Sequence, residues 1–352
     1  MSKNTKNSEN NGFNIALYTK YRPQKFSDVL GQEQVTTVLQ NSLKLGNISH
    51  AYLFSGTRGT GKTSVARILA NEIGTLDSDL YEIDAASNNG VEEIRRLTES
   101  VLTLPFESKY KVYILDEVHM LSKSAFNALL KTLEEPPKHV VFVLATTEPE
   151  KLPETVISRC EHYNFKSPNT NVLKKMIIKT AKSEGYDLDN DAAELLAILG
   201  DGSFRDAHTS LQKLIRASDD KKISAEEVER VVGAPKSALI NDVVCSILKK
   251  DSILGLKSIS FAKERNIDSK IFLKLLIDKM RIALILKVSK EDKDLYIDTV
   301  SEDDLKFLTQ LVSENTQNIN SKIILNLLEV YEKSINSPLP FLPLEIFIAD
   351  LS

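Results

Sequence analysis

Eight consecutive residues in the first part of the sequence constrain its fold more than any other feature. They read GTRGTGKT and match the pattern GxxxxGK[ST]. The apolar run AYLFS precedes them and the helical pattern SVARILANEI follows, which is the strand–loop–helix context that this pattern requires. In that context glycines let backbone N–H groups wrap a polyphosphate, and the helix N-terminus adds its positive dipole. We therefore prefer a P-loop nucleotide site to a glycine-rich turn without a ligand, and we assign to it Gly56, Thr57, Arg58, Gly59, Thr60, Gly61, Lys62, Thr63 and Ser64.

Two carboxylates follow a second apolar strand and complete the expected site. The run VYILDEVH places Asp116 and Glu117 at a strand end. Alone, this pattern is most often a solvated strand end, but beside a P-loop it indicates ATP hydrolysis with ATP and Mg²⁺ as cofactors. Lys62 would neutralise the β- and γ-phosphates, and Glu117 would orient and polarise the attacking water. The Thr63 hydroxyl would ligate Mg²⁺, which Asp116 would hold through water.

Polar residues near the next strand end have open assignments. The strand VVFVLATT ends in Thr146 and Thr147, at the sheet edge where α/β proteins bind ligands. Thr147 would hydrogen-bond the γ-phosphate or the attacking water, or else cap the following turn. His119 lies beyond the acidic strand end, where a lone histidine is usually a packing or surface residue, and we assign it no role.

Two arginines outside these motifs are further candidates. Arg159 lies in the string ISRC, just beyond the last strand, and Arg205 lies where Gly202 or Ser203 can cap a helix. An arginine presented to a γ-phosphate supplies a large share of catalysis in phosphoryl transfer. Most arginines are surface ion-pair residues, however, and composition alone favours that interpretation for both.

The chain has two parts with different sequence patterns. Residues 18–165 alternate apolar strand-like runs with amphipathic helices, which predicts an α/β domain whose parallel sheet is covered on both faces. Beyond residue 168 almost every segment has helical periodicity, and a Gly-Ala-Pro break near residue 233 divides this part in two. We predict a disordered tail over 1–14, a nucleotide-binding domain over 15–167, and two all-α segments over 168–232 and 233–352.

The composition narrows the class of protein. With 45 Lys plus Arg against 49 Asp plus Glu, the net charge of −4 gives no overall basic excess for coating nucleic acid, although a local basic patch is compatible with that sum. Two cysteines, Cys160 and Cys245, exclude a disulfide framework and fit a reducing cytoplasm. No apolar run reaches the length of a membrane span, and the N-terminus lacks the apolar core of a secretory signal.

Seven strings occur in one order and carry a resemblance to a known family. They are YRPQKFSDVLGQEQV, HAYLFSGTRGTGKTSVARILA, YEIDAAS, VYILDEVHMLSKSAFNALLKTLEEPP, VFVLATTEPEKLP, SRC and GSFRDA. Together they resemble the bacterial DNA polymerase III gamma/tau family, the ATPases of the sliding-clamp loader, from about residue 15 and, more loosely, to the C-terminus. The long DEVHMLS block, here with Leu115 before the acids, and the SRC triplet are much more specific than a Walker motif.

The resemblance implies an AAA+ architecture and roles that the patterns alone leave open. In that family a nucleotide-binding α/β domain precedes a small helical lid and a helical collar that closes a pentamer. Thr147 matches sensor 1, Arg205 matches sensor 2 in the lid, and Arg159 matches the arginine finger that reaches the ATP of a neighbouring subunit. The segment that lines the adenine pocket matches Tyr18, Arg22 and Pro23.

The chain departs from the family at one place. Relatives carry a four-cysteine zinc module between the helix after the P-loop and the next strand, whereas here that interval is residues 74–79 and contains no cysteine. Because a structural zinc site needs four ligands at short spacings, we expect no zinc site. The sequence also stops where the collar of the family ends, so we expect the tau-specific C-terminal regions to be absent.

The resemblance predicts the ATP-hydrolysing motor subunit of the clamp loader, which loads the β clamp onto primed DNA and has no polymerase site of its own. Expected partners are copies of itself, the delta and delta-prime subunits, the β clamp, and DNA through phosphate contacts. Residues 86–90, which open a helix, are either such a contact or a simple capped helix start.

Two other functions stay open at this point. One is the non-catalytic, delta-prime-like stator of the same complex, which needs no working P-loop. The intact P-loop and the acidic pair Asp116-Glu117 argue against it. The other is a different AAA+ DNA motor, and the long helical C-terminal part in place of a winged-helix domain argues against that.

Overall fold

The computed structural model describes residues 15–218, 220–288 and 302–351. The chain divides into two compact units. The first comprises the residues up to Val172 together with Gly202–Thr209, and the second comprises Leu173–Asp201 and the residues from Ser210 onward. The predicted tail over 1–14 lies outside the described residues. The predicted boundary between 168–232 and 233–352 stays a prediction.

The first unit contains a five-stranded parallel sheet in the order β2-β3-β4-β1-β5. Its strands are β1 Ala51–Ser55, β2 Leu80–Asp84, β3 Lys111–Asp116, β4 Val140–Thr146 and β5 Glu161–Asn164. The strands β1, β3 and β4 contain the apolar runs AYLFS, VYIL and VVFVLA of the sequence, so the predicted α/β fold with a parallel sheet is confirmed. The order places β4 between β1 and β3, and their carboxyl ends therefore meet at one edge of the sheet.

Helices cover both faces of this sheet. They are α1 Leu17–Lys20, α2 Glu33–Lys44, α3 Lys62–Glu72, α4 Val91–Val101, α5 Lys123–Glu134 and α6 Glu154–Ile157. Because alternate strand residues point to opposite faces, Leu53 and Leu115 pack in one core with α4 and α5, whereas Phe54 and Ile114 pack in another with α2 and α3. Burial on both faces explains why β1, β3 and β4 are nearly continuous apolar runs, whereas β2 and β5 are mostly exposed.

The second unit is almost entirely helical in its described part. Two helices cross the division between the units, α7 Thr170–Ser183 and α9 Phe204–Ala217. The others are α8 Asn190–Leu199, α10 Ala225–Val232, α11 Ser237–Lys249, α12 Ser252–Glu264, α13 Ser269–Val288, α14 Glu302–Glu314, α15 Ser321–Asn336 and α16 Leu342–Ala349. A two-residue parallel pair joins Asp187–Leu188 to Lys222–Ile223. One apolar core, which includes Phe272 and Leu276 of α13, joins the helices α11 to α16, and Leu195 and Ile198 of α8 pack against it.

Within the part of the chain that the structure describes, no single helix is long and apolar enough to cross a membrane. One pair of helices, Ala225–Val232 with Ser237–Lys249, meets the requirement of length and composition only jointly, across a bend of 84°.

Candidate nucleotide-binding and catalytic site

The P-loop joins the end of β1 to the start of α3, as the motif predicts. Gly56 has a φ of +140°, and a Cβ there would lie 2.3 Å from the carbonyl oxygen of Phe165. Gly61 precedes the first residue of α3 with a φ of +102°. Both positions require glycine, the first for close packing and the second for its left-handed backbone. The loop is thus held in the conformation in which its N–H groups face a ligand at a helix N-terminus.

The Lys62 side chain lies inside the P-loop and binds its backbone. Its side chain is buried, and Nζ donates to the carbonyl oxygens of Gly56 at 2.7 Å and Thr57 at 2.9 Å. Burial lowers the pKa of Lys62, while Glu117 and Asp116 act in the opposite direction. Desolvation disfavours the charged form of a buried ammonium group, and an anionic ligand would stabilise that form. This position therefore fits a phosphate.

Thr63 and Asp116 meet across the sheet edge. The Thr63 hydroxyl donates to Asp116 Oδ2 at 2.7 Å, and Asp116 Oδ1 accepts the backbone N–H of Glu117 at 3.0 Å. A hydroxyl and a carboxylate oxygen are hard donors of the kind that Mg²⁺ prefers. Among the described residues, no three His, Cys, Asp or Glu side chains group as a metal site. The two residues therefore fit a magnesium ion whose other ligands are water and substrate phosphates, and their assignment stays a prediction.

Glu117 and Thr147 form the next contact along this edge. Glu117 has a left-handed backbone with φ +49° and ψ +44°, which costs about 1–3 kcal/mol for a non-glycine residue and is a feature of functional sites. Thr147 Oγ1 donates to Glu117 Oε2 at 3.0 Å. Its neighbour Thr146 accepts the backbone N–H of Glu148 at 3.0 Å. Thr146 thus satisfies the following turn, and Thr147 faces the carboxylate expected to orient water.

Arg205 lies in the first unit, close to the P-loop. The backbone N–H of Phe204 donates to the Gly59 carbonyl oxygen at 2.9 Å, and the Ser203 hydroxyl accepts the backbone N–H of Asp206 at 3.2 Å. Ser203 therefore caps α9 beside the loop. The Arg205 guanidinium lies 4.9 Å from the centre of the Tyr18 ring. The N-terminal turn of this helix belongs to the first unit rather than to the helical part because of these contacts.

Arginines crowd the same region. Burial and the adjacent Arg67 lower the pKa of Arg22, with Arg205 adding to the effect and Glu82 opposing it. Arg67 in turn pairs with Glu82. Arg22 thus has two guanidinium groups and one carboxylate among its charged neighbours, which leaves positive charge for an anion. Pro23 is partly exposed beside Arg22, and the assignment of Tyr18, Arg22 and Pro23 to an adenine pocket stays a prediction.

The remaining loop residues have simpler surroundings. The Thr57 hydroxyl lies 2.8 Å from the Ser167 hydroxyl, and the buried Thr60 donates to the Thr57 carbonyl oxygen at 2.9 Å. Arg58 is exposed, and Ser64 is partly exposed in the first turn of α3.

Arg159 lies apart from the P-loop residues, beyond α6. Its Nη2 lies 2.6 Å from Glu134 Oε1, and its Nη1 donates to the Thr155 carbonyl oxygen at 2.6 Å. The side chain is about one-third exposed. Arg159 is therefore an ion-pair residue within its own chain, held at a surface position, and its action on a neighbouring subunit stays a prediction.

Three positioning residues escaped the sequence interpretation. Gln32 is fully buried, donates to the Lys166 carbonyl oxygen at 2.7 Å and accepts the Lys166 N–H at 3.2 Å. Glu134 holds Arg159, and Glu148 approaches His119. A polar residue before an amphipathic helix was the one signal for Gln32, and no local pattern distinguishes the two glutamates from surface residues.

Comparisons with known proteins agree with this geometry. The family model described as "DNA polymerase III, delta subunit" matches residues 31–85 and 75–169. The chain is 40% identical over 296 residues to DNA polymerase III subunit tau of Bacillus subtilis, covering 78% of this chain and 52% of the relative. It is 38% identical over 256 residues to DNA polymerase III subunit gamma of Buchnera aphidicola, covering 67% of this chain and 69% of the relative.

A solved structure shows the same fold. The Thermotoga maritima RuvB Holliday junction branch migration motor matches with a TM-score of 0.51 and 22% identity, over 64% of this chain and 79% of that one. The fold and the site together define the class, an α/β protein with the P-loop ATPase fold of the AAA+ type. Within that class, the chain belongs to the DNA polymerase III gamma/tau family. It spans about half the length of the Bacillus subtilis tau subunit.

Proposed function

We propose that this protein is an ATP-hydrolysing motor subunit of the bacterial sliding-clamp loader, acting in the cytoplasm. One observation carries the proposal: a chain of the gamma/tau family has, at one sheet edge, the contacts expected of an ATP-hydrolysing site. Lys62 is buried inside the P-loop, Thr63 meets Asp116 at 2.7 Å, and Thr147 meets Glu117 at 3.0 Å. A subunit with only a structural role would not need these contacts.

The side chains divide the chemistry among them. Lys62 and the loop N–H groups bind the β- and γ-phosphates, and the Thr63–Asp116 pair holds Mg²⁺. Bound Mg²⁺ would neutralise charge on the phosphate oxygens. Glu117 orients the attacking water and accepts its proton. The Thr147 hydroxyl holds the Glu117 carboxylate in place through its hydrogen bond to Oε2. Arg205, within the same chain, adds positive charge beside the phosphates.

Arg159 has a different part in this proposal. It would reach the ATP of a neighbouring subunit, so that hydrolysis depends on assembly. The exchange of its contact with Glu134 for a γ-phosphate oxygen costs little, because an exposed ion pair is worth about 1 kcal/mol or less.

The proposed partners follow from the family. They are copies of this chain, the delta and delta-prime subunits, the β clamp and primed DNA. Because the protein has a net charge of −4, we expect only one local surface of it to contact the phosphates of DNA. Residues 86–90 are the candidate: the Asp84 carboxylate accepts the Ala86 N–H at 2.9 Å and the Ser87 hydroxyl at 2.9 Å, which shapes the turn before α4.

Hydrolysis measurements test the proposal. The clamp loader is assembled with wild type, Lys62→Ala or Arg159→Ala, and its ATPase rate is measured with and without DNA and clamp. Lys44→Ala and Arg95→Ala are matched controls, the first an exposed lysine on α2 and the second an arginine in an exposed ion pair. We expect Lys62→Ala to abolish hydrolysis in its own subunit and Arg159→Ala to reduce it in a neighbour. A stator would instead tolerate Lys62→Ala without loss, and that result would refute the motor assignment.

A further inference from the structure

His119 contacts groups on both sides of the catalytic edge. Its side chain is 6% exposed. Nδ1 lies 3.0 Å from Thr146 Oγ1 and 3.5 Å from Glu117 Oε2, and Nε2 lies 3.3 Å from Glu148 Oε1. The ring therefore bridges the acidic end of β3 and the turn after β4, the two segments that carry Glu117 and Thr147.

The backbone around this histidine leaves it little freedom. His119 is the middle residue of a short 3₁₀ turn over Val118–Met120, in which the Met120 N–H donates to the Glu117 carbonyl oxygen at 2.9 Å. Val118 and Thr146 are fully buried, so neither the turn nor the strand end can shift without disturbing the core. The ring is thus placed by rigid elements on both sides.

Other histidines of the first unit show what a structural role looks like. His139 Nε2 lies 3.2 Å from the Val101 carbonyl oxygen and 3.1 Å from that of Thr103, and His208 Nδ1 lies 3.0 Å from the Phe204 carbonyl oxygen of its own helix. The contacts of those rings are with backbone carbonyl oxygens. His119 instead contacts the carboxylate that is to orient the attacking water.

We propose that His119 is a positioning residue that fixes the orientation of the Glu117 carboxylate. This inference rests on the proposed function. Glu117 Oε2 lies 3.0 Å from Thr147 Oγ1 and 3.5 Å from His119 Nδ1, and two neighbours restrict the rotation of a carboxylate more than one does. The second oxygen, Oε1, is then left for the attacking water.

The inference predicts a loss of turnover without a loss of substrate binding. His119 lies behind Glu117 and makes no contact with a P-loop residue among its described hydrogen bonds and ion pairs. Removal of its ring lets the carboxylate rotate, and misplacement of a catalytic group by about 1 Å costs up to about 100-fold in rate. We expect His119→Ala to lower kcat by roughly 10- to 100-fold and to leave KM for ATP within about twofold.

Two conservative variants separate positioning from packing. An asparagine places a polar atom near the position of Nδ1, whereas a glutamine places one near the position of Nε2. Because the contact with Glu117 is made by Nδ1, His119→Asn should restore most of kcat and His119→Gln should restore little. His139→Ala, which removes a histidine from a purely structural contact, is the control and should leave kcat unchanged.

The measurement is steady-state ATP hydrolysis by the assembled loader, at a temperature below the melting midpoint of every variant. Rescue by asparagine and not by glutamine supports the inference. If asparagine is no better than alanine, or if His119→Ala changes kcat by less than twofold, the inference is wrong. Neither result bears on the motor assignment, which is tested separately by hydrolysis in the wild type and in Lys62→Ala.

Discussion

Asp79 ties the segment that stands at the position of the family's zinc module to a loop before β3. The side chain is fully buried, and its two oxygens accept the backbone N–H groups of Phe106 at 2.6 Å, Glu107 at 2.9 Å and Ser108 at 2.8 Å. The Ser108 hydroxyl accepts the Leu76 N–H at 2.9 Å. One carboxylate thus holds this segment to the loop over residues 106–108, and we predict that Asp79→Asn releases the loop.

The magnitude follows from the carboxylate's pKa. Burial raises the pKa of Asp79, but the three N–H donors outweigh burial and lower it from 3.8 to about 2. That difference corresponds to about 2.5 kcal/mol of stability, because one pKa unit is worth about 1.4 kcal/mol. Asparagine removes the charge and turns one acceptor into a donor that faces N–H groups. We therefore expect Asp79→Asn to lower the free energy of unfolding of the first unit by about 2.5 kcal/mol or slightly more.

Hydrogen exchange and urea unfolding check this value at neutral pH. In Asp79→Asn the amides of residues 106–108 should exchange faster, while Asp77→Asn, an exposed change in the same turn, should leave them as they are. Since a lowered carboxylate pKa stabilises above its unfolded value, the gap to wild type should be constant from pH 7 to about 5. It should shrink as the pH falls through 3.8 towards 2. A gap under about 0.5 kcal/mol at pH 7, within the range of ordinary surface substitutions, would refute the reasoning.

Three further predictions concern the site and its surroundings. Gly56→Ala should destabilise the first unit by about 3 kcal/mol or more and abolish ATP binding, because its Cβ would meet a backbone carbonyl, whereas Gly74→Ala, with positive φ but open space, should cost about 1 kcal/mol in urea unfolding. Tyr18→Leu should raise the Kd for ATP about two- to fivefold in calorimetry, since it removes the ring beneath Arg205; an unchanged Kd would contradict this. Burial raises the pKa of the Cys160 thiol to about 12, so alkylation at pH 8, followed by mass spectrometry, should be at least about 100-fold slower in the folded chain than in urea.

The central sheet and the P-loop could be predicted because both are encoded locally. The strands β1, β3 and β4 are nearly continuous apolar runs, and the glycine pattern lies between a strand and a helix. β5 could not be predicted in the same way. Its residues EHYN are mostly polar and exposed, and they form a strand only because β1 offers a free edge, with Tyr52 opposite Glu161 and Ser55 opposite Asn164. Strand identity there comes from tertiary pairing and not from propensity.

The candidate site likewise contains residues that sequence motifs predict and residues that they do not. Lys62, Thr63, Asp116 and Glu117 belong to motifs with known spacing, and the structure brings all four together. The contacts that position them join residues far apart in sequence, such as Gln32 with Lys166 across 134 positions. Local pattern carries no information on such pairs, because either partner alone is an ordinary polar residue.

The threonines at the end of β4 show most clearly which roles the sequence pattern alone cannot assign. From the sequence, Thr147 is as good a candidate for the following turn as for the site, since it belongs to a polar strand tip. In the structure Thr146, the last residue of β4, is fully buried and accepts from the following turn, whereas Thr147, the first residue beyond the strand, donates to Glu117. The sequence places two threonines at the edge, and their tertiary contacts distinguish them.

ATP binding and hydrolysis, measured side by side on the assembled loader, test the central claim most directly. Glu117→Gln should bind ATP with wild-type affinity and hydrolyse it at least about 100-fold more slowly, because only the group that orients and deprotonates water is lost. Lys62→Ala should lose both binding and hydrolysis, since its ammonium group lies inside the loop. Hydrolysis at the wild-type rate in either variant would contradict the assignment of this edge of the sheet as the catalytic site.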